Sequence, residues 1–292
     1  MSTSSPNESS PYARPSSEAY ANKATDALYD RVEKAFHSTD VRRAVENPIS
    51  DKRRAEICGI VRAQLDEFRV QYEVNPKTMR SFSTGRTTCI CASNNDVKLI
   101  KDVAGYTERT RRLWMDERDV TIVLALSPRD KCVRFGDNET KMEDVNSGVT
   151  LPRERLIILF RWEDYDFWKV LQHELIHLCR GTKNEAETEA NALVVHTMIV
   201  ADDRADFRRR MAVQMKVSAD NERLLSGANV GTTNAWRYWV LGYDMIKRFP
   251  EVLAGTYEPH ITQPNAPPGT QRGSQPLHVS AFGNASGLPL EL

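Results

Sequence analysis

The string His173-Glu174-Leu175-Ile176-His177 sets two imidazoles four residues apart, with a carboxylate beside the first. On a helix, residues four apart stand on one face, so both rings can reach a single metal ion. Neutral imidazole suits zinc, and a catalytic zinc site keeps one position open for water. The ion lowers the pKa of that water toward neutrality, and a carboxylate at the place of Glu174 can take its proton. These residues therefore imply Zn2+ held by His173 and His177, with Glu174 as general base for attack of water on a carbonyl. In a chain with six histidines, the string by itself is expected by chance on the order of once in a hundred such sequences. Two surface histidines paired on a helix are the plain alternative, so the surrounding elements matter.

Those elements have a legible order. Trp168, Leu171, Leu175 and Leu178 share one face of a helix that Asp164 or Asp166 can cap and Gly181 can end. A second helix begins near Lys183 and runs past Met198. Before the motif, residues 120–126 (VTIVLAL) and 155–161 (RLIILFR) are β-rich, and 87–92 is a weaker strand. A strand lying at a sheet edge before the motif helix can pair with an extended peptide backbone. Residues 128–150 are polar and read as loop with room for a hairpin. Upstream, Leu28, Val32 and Phe36 mark a short helix. Pro48 and Ser50 introduce a longer one with Ile57, Val61, Leu65, Phe68 and Tyr72 along one face. Residues 96–114 form a further helix, interrupted at Gly105. Downstream, 202–225 and 233–248 are helical, and Pro250 stops the last stretch.

The continuation Leu178-Cys179-Arg180-Gly181-Thr182-Lys183 has no histidine, which excludes the metzincin pattern. It leads into Asn184-Glu185-Ala186-Glu187-Thr188-Glu189-Ala190-Asn191, three glutamates on the helix that folds back against the motif. Here the chain resembles the gluzincins, zinc peptidases with H-E-x-x-H on one helix and a glutamate ligand on the next. Glu187-Thr188-Glu189-Ala190-Asn191 is similar to the E-x-x-A-N/D pattern of ImmA/IrrE-type and Ste24-like catalytic cores. That resemblance implies Glu187 as third ligand and Asn191 as hydrogen-bond partner of His173. A second register stays open. Asn184-Glu185-Ala186 also resembles the N-E-A-x-x-D string of thermolysin-like enzymes, which would make Glu185 the ligand and Glu189 its supporting partner. In either register the gap after His177 is shorter than is usual in these families. His196, as a third histidine ligand, would instead suggest a SprT-like arrangement. The resemblance spans residues 155–198, and it implies hydrolysis of peptide bonds in a protein or peptide substrate. For oxyanion stabilisation, Tyr165, Arg237 and Tyr238 have suitable chemistry, and nothing in the sequence selects among them.

Composition narrows the class. Lys plus Arg and Asp plus Glu number 40 each, so the net charge is zero and no basic footprint of a dedicated nucleic-acid binder is present. The arginine clusters at 109, 111, 112 and at 208–210 read as solvated helix faces. Five scattered cysteines without a C-x-x-C pair point to a reducing compartment. Among them, Cys179 reads as a core residue. No apolar run approaches the roughly 18 residues that span a bilayer, and the opening MSTSSPNESSPYARPSS has no signal-peptide core. The expectation is a soluble cytoplasmic protein, with no membrane partner.

The expected fold is α+β and mostly helical: a zincin-like domain with a small mixed sheet and a helical C-terminal half. Residues 1–17, rich in Ser and Pro, are expected to be disordered. A single domain then covers 18–255, with a helical part at 18–115, sheet and active-site helices at 116–200 and a helical part at 201–255. A flexible or extended Pro-rich tail follows at 256–292. A zinc metalloendopeptidase is the leading functional expectation. Its competitors are a zincin-fold protein that binds partners without cleaving them, and a DNA-associated protease of the SprT kind.

Overall fold

The computed structural model describes residues 23–37, 43–67, 74, 76–92, 97–127, 147–161, 167–182, 185–225 and 244–249. A six-stranded mixed sheet is its centre, with strand order β1-β2-β3-β4-β6-β5. The strands are β1 (Val45–Asn47), β2 (Arg80–Thr84), β3 (Thr87–Cys91), β4 (Val120–Ser127), β5 (Gly148–Leu151) and β6 (Leu156–Arg161). The helices are α1 (Lys23–His37), α2 (Asp51–Glu67), α3 (Val97–Leu113), α4 (Phe167–Arg180), α5 (Glu185–Ile199) and α6 (Arg204–Leu225).

Pairing follows from the connections. β2 and β3 are antiparallel across the two-residue turn Gly85-Arg86, where Gly85 takes φ +55°. β3 and β4 are parallel, and parallel neighbours need a crossover, which α3 supplies. β4 and β6 are also parallel, and β5 returns antiparallel to β6 as the outer strand.

Alternation along the central strands sends side chains to two apolar layers. Cys89, Cys91, Ile122, Leu124, Ile157 and Leu159 face α1, α3 and α4, joined by Leu28, Val32, Ile100, Tyr106, Leu171 and Leu175. Ile90, Val123, Ala125, Leu156 and Ile158 face the other way, onto Ile57, Cys58 and Val61 of α2. Each fully buried aliphatic side chain of this kind contributes about 1.5–3 kcal/mol. Ser50 accepts the Arg53 amide at 3.2 Å, capping α2 as its sequence suggests.

Two buried polar groups lock α4 in place beneath the sheet. Tyr106 Oη and Thr110 Oγ1 of α3 donate to Gln172 Oε1 at 3.0 and 3.1 Å, next door to His173. At the far end of α4, Arg155 donates to the Leu178 carbonyl at 2.7 Å and pairs with Asp116. A cation on the last carbonyls of a helix satisfies orphan acceptors and complements the helix dipole. Arg118 also pairs with Asp116, whose carboxyl, despite its burial, is held down at about 2 by these guanidiniums and the Arg118 amide.

The mixed α and β character matches expectation, and several details do not. Gly105 sits within an unbroken α3. The sheet is larger than anticipated, because β1, β2 and β5 join the three strands read from the sequence. Phe68, Tyr72, the caps Asp164 and Asp166, most of 128–150 and 233–248, the head 1–17 and the tail 256–292 lie outside the described residues. Among the described residues, no helix is long and apolar enough to cross a membrane.

Candidate metal centre

α4 and α5 form an antiparallel hairpin joined by a short turn. Gly181 stands at the helix end with φ +66°, and its amide returns to the His177 carbonyl at 3.0 Å. That left-handed residue swings the next carbonyl, Thr182 O, back over the helix to meet His177 Nδ1 at 2.8 Å. A hydroxyl pair, Thr182 Oγ1 to Thr188 Oγ1 at 2.9 Å, fastens the turn to α5.

The hairpin places two polar stripes face to face. Lys169, His173 and His177 follow one another at four-residue intervals on α4, and Glu185 and Glu189 do the same on α5. His173 Nδ1 lies 3.1 Å from Glu189 Oε2, and the other oxygen of Glu189 accepts from Lys169 Nζ. A carbonyl or an ionised carboxylate only accepts, so both rings donate from Nδ1. Once its Nε2 proton is given up, each ring presents that lone pair to a shared point.

Glu185 completes that point. His173 Nε2 and His177 Nε2 are 3.0 Å apart, and Glu185 Oε2 stands 3.2 and 3.1 Å from them. His173, His177 and Glu185 form a group able to hold a metal ion. Ligand atoms about 2.05 Å from a tetrahedral centre stand about 3.3 Å from one another, so the observed triangle is near the size that zinc requires. Two imidazoles turned inward by fixed partners, with one carboxylate beside them, fit a zinc ion with a fourth position to spare.

Electrostatics agree with a cation site. Burial opposes protonation of His173, yet hydrogen bonds to Glu185 and Glu189 and the charge of Glu174 overcome it and push the ring to about 10. Burial likewise opposes protonation of His177, yet the Glu185 hydrogen bond, the Thr182 carbonyl and the charge of Glu185 together raise it. Glu185 is held at about 2: burial disfavours its charge, and both histidines more than compensate. Glu189 lies far below the usual carboxylate range for the same reason, with Lys169 as the main compensating charge.

Glu174 lies beside this group, 7% exposed, with its Oε2 accepting from Thr150 Oγ1 of β5 at 2.6 Å. Among the described residues no strand covers the outer edge of β5, which runs past the motif helix.

Glu185, rather than the Glu187 that the first register favoured, is the glutamate that lies against the two histidines. At about 100° per residue, Glu187 is turned roughly 200° from Glu185 around α5. Its charge acts instead on Arg180, at the end of α4. Asn191 likewise does not touch His173: it accepts from Arg180 Nη1 at 3.0 Å and donates to the Glu187 carbonyl at 2.7 Å. The hairpin sets Glu185 against both histidines and Glu189 behind His173, the arrangement of the thermolysin-like register. His196 stands outside the group. Burial first, then the charges of Lys169 and Arg210, lower it to about 4. Cys179 is a half-buried free thiol on the other side of α4, pushed up to about 12 by burial and by Asp116. Tyr165, Arg237 and Tyr238 lie outside the described residues.

Sequence reasoning passed over Lys169, Thr182 and Thr150. The four-residue spacing of Lys169 with the histidines, and of Glu185 with Glu189, was a signal for the first. Nothing local marks the others, since they meet the site through a turn and a strand. No family model, curated protein or solved structure matches the chain.

Proposed function

We propose that the protein is a zinc-dependent metallopeptidase that hydrolyses peptide bonds with water. The observation that carries this reading is the convergence of His173 Nε2, His177 Nε2 and Glu185 Oε2 at near-tetrahedral spacing, with Glu174 alongside. Zinc in this group would supply Lewis acidity and bring the pKa of its water to about 7.

The chain's own residues account for the rest. Glu189 and the Thr182 carbonyl fix the orientation of both imidazoles. Glu174 accepts the proton of the attacking water and returns it to the leaving amine, the cycle required for amide cleavage. The outer edge of β5 offers main-chain donors and acceptors to an extended peptide, which would lie along the motif helix as an added strand. Such docking reads the backbone rather than one side chain, which favours peptides as the substrate class.

Zinc content by elemental analysis and cleavage of casein or a mixed peptide library test the reading together. One zinc per chain with cleavage that Glu174→Gln abolishes while retaining zinc is the expected result. A fully active Glu174→Gln variant, or wild-type protein without zinc after reconstitution, would sink it. A second reading is a zinc-binding interaction module without turnover. It is favoured by the near-complete burial of Glu174 under β5. Stoichiometric zinc without cleavage of any peptide would select it.

A further inference from the structure

The strand that passes the motif helix also grips the proposed base. Gly148 and Thr150 are two residues apart on β5 and both turn to α4, while Val149 and Leu151 pack against the opposite layer. Thr150 Oγ1 is 2.6 Å from Glu174 Oε2 and 3.0 Å from the Glu174 carbonyl. The carboxylate can only accept, so the hydroxyl donates, at the short distance expected for a bond to a charged oxygen. From the same strand, Gly148 comes so close that a Cβ would lie 3.0 Å from Glu174 Cγ and 3.2 Å from Oε1. Glu174 is thus held by a hydroxyl at one oxygen and bounded by bare main chain beside the other. The grip belongs to the sheet, because β5 is registered on β6 through Gly148 opposite Leu159 and Thr150 opposite Ile157.

On the metallopeptidase reading, we infer that Thr150 is a positioning residue for Glu174. It ties down Oε2, leaving Oε1 to receive the proton of water. A free glutamate has three rotatable side-chain bonds, and ordering it at each turnover costs conformational entropy. Thr150 settles that cost in the folded protein. The same four-residue strand that would pair with an extended peptide thereby sets the base, so substrate and base share one rigid support.

The full chain tests this with Thr150→Val, which keeps shape and β preference, Thr150→Ser, which keeps the hydroxyl, Glu174→Gln, Glu174→Ala, which removes the acceptor, and the Thr150→Val/Glu174→Ala pair that closes the cycle. In urea unfolding of the zinc-free protein, the four-way cycle should show non-additivity of about tenfold or more in the unfolding constant. Additive losses overturn the contact. In the zinc-loaded protein, acetohydroxamate is the probe, since it hands its hydroxyl proton to a neighbouring base on binding the ion. Thr150→Val should weaken acetohydroxamate about tenfold with zinc affinity unchanged, and Thr150→Ser should restore it. Equal loss of zinc and acetohydroxamate means a merely structural role and overturns the inference. Unchanged acetohydroxamate binding in Thr150→Val, with loss in Glu174→Gln, overturns it while leaving the metallopeptidase reading intact. Wild-type protein that takes up no zinc, or whose zinc form ignores acetohydroxamate, overturns both.

Discussion

Replacing Glu185 by Gln tests the ligand set where sequence and structure diverge. Glu185 Oε2 stands at 3.1 and 3.2 Å from the two Nε2 atoms, so it contributes the only negative charge among the three convergent ligand atoms. Groups that only orient a ligand typically cost about 10–100-fold in metal affinity when removed. Glu189→Gln, which leaves His173 a weaker acceptor, should therefore fall in that range. On the proposed function, Glu185→Gln removes a direct ligand and its charge, and zinc affinity should drop by more than about 100-fold, beyond the range for orienting groups. Glu187 is turned about 200° away on α5, so Glu187→Gln should change affinity by less than about threefold. Competition for zinc with a chelating dye, at fixed pH and ionic strength, ranks the three variants directly. Loss of zinc in Glu187→Gln with retention in Glu185→Gln would refute the reasoning. It would mean that α5 is rotated by about half a turn against α4 and that the other register holds.

Three further outcomes follow from the same geometry. Gly181→Ala puts a side chain at φ +66° with nothing within 4 Å of its Cβ, so urea unfolding should show a loss of about 1 kcal/mol from backbone strain alone. Gly85→Ala combines φ +55° with a Cβ only 2.4 Å from Glu108 Oε1, and Glu108 is the buried partner of Arg111 and Arg112. Disturbing that set should cost about 3 kcal/mol or more in the same assay. Asp116, held near 2 against an ordinary 3.8, stabilises the fold above about pH 4 and loses that contribution as pH falls toward 2. The full displacement corresponds to about 2 kcal/mol, and solvent screening brings the expected change to about 1 kcal/mol. Acid unfolding of Asp116→Asn beside wild type measures it, and identical pH profiles would remove Asp116 from the account.

The motif helix was legible because everything it needs is local: a four-residue repeat, an apolar face and a glycine stop. α5 was legible as a helix but not in its rotation. Ala190, Ala192, Leu193, Val194, Val195, Met198 and Ile199 are all buried, so its apolar residues go nearly all the way round and give no phase. The choice between Glu185 and Glu187 is a choice of phase. It is made by the Gly181 turn, by Thr182 meeting Thr188, and by Lys169 reaching Glu189. β1, β2 and β5 were missed for a related reason. VEN, RSFST and GVTL are short and weakly patterned, and they become strands through neighbours such as β3 and β6 rather than through their own pattern. Thr150 inherits that obscurity.

His173, His177 and Glu185, the group able to hold a metal ion, all fall within residues 173–185, in a helical hairpin whose cross-links span few residues. The sheet above it is assembled from strands that lie far apart along the chain, with β3, β4 and β6 in parallel order. Local contacts close quickly, and non-local parallel pairings must first meet a larger loop-closure cost. On the proposed function, zinc capture and sheet assembly would therefore be separable events in the life of a newly made chain. The hairpin can gather its ion while the strands are still finding their register, whereas Glu174 acquires its Thr150 partner only when β5 docks. A nascent chain would then be a metal binder before it is a catalyst, its hydrolytic chemistry withheld until folding is complete.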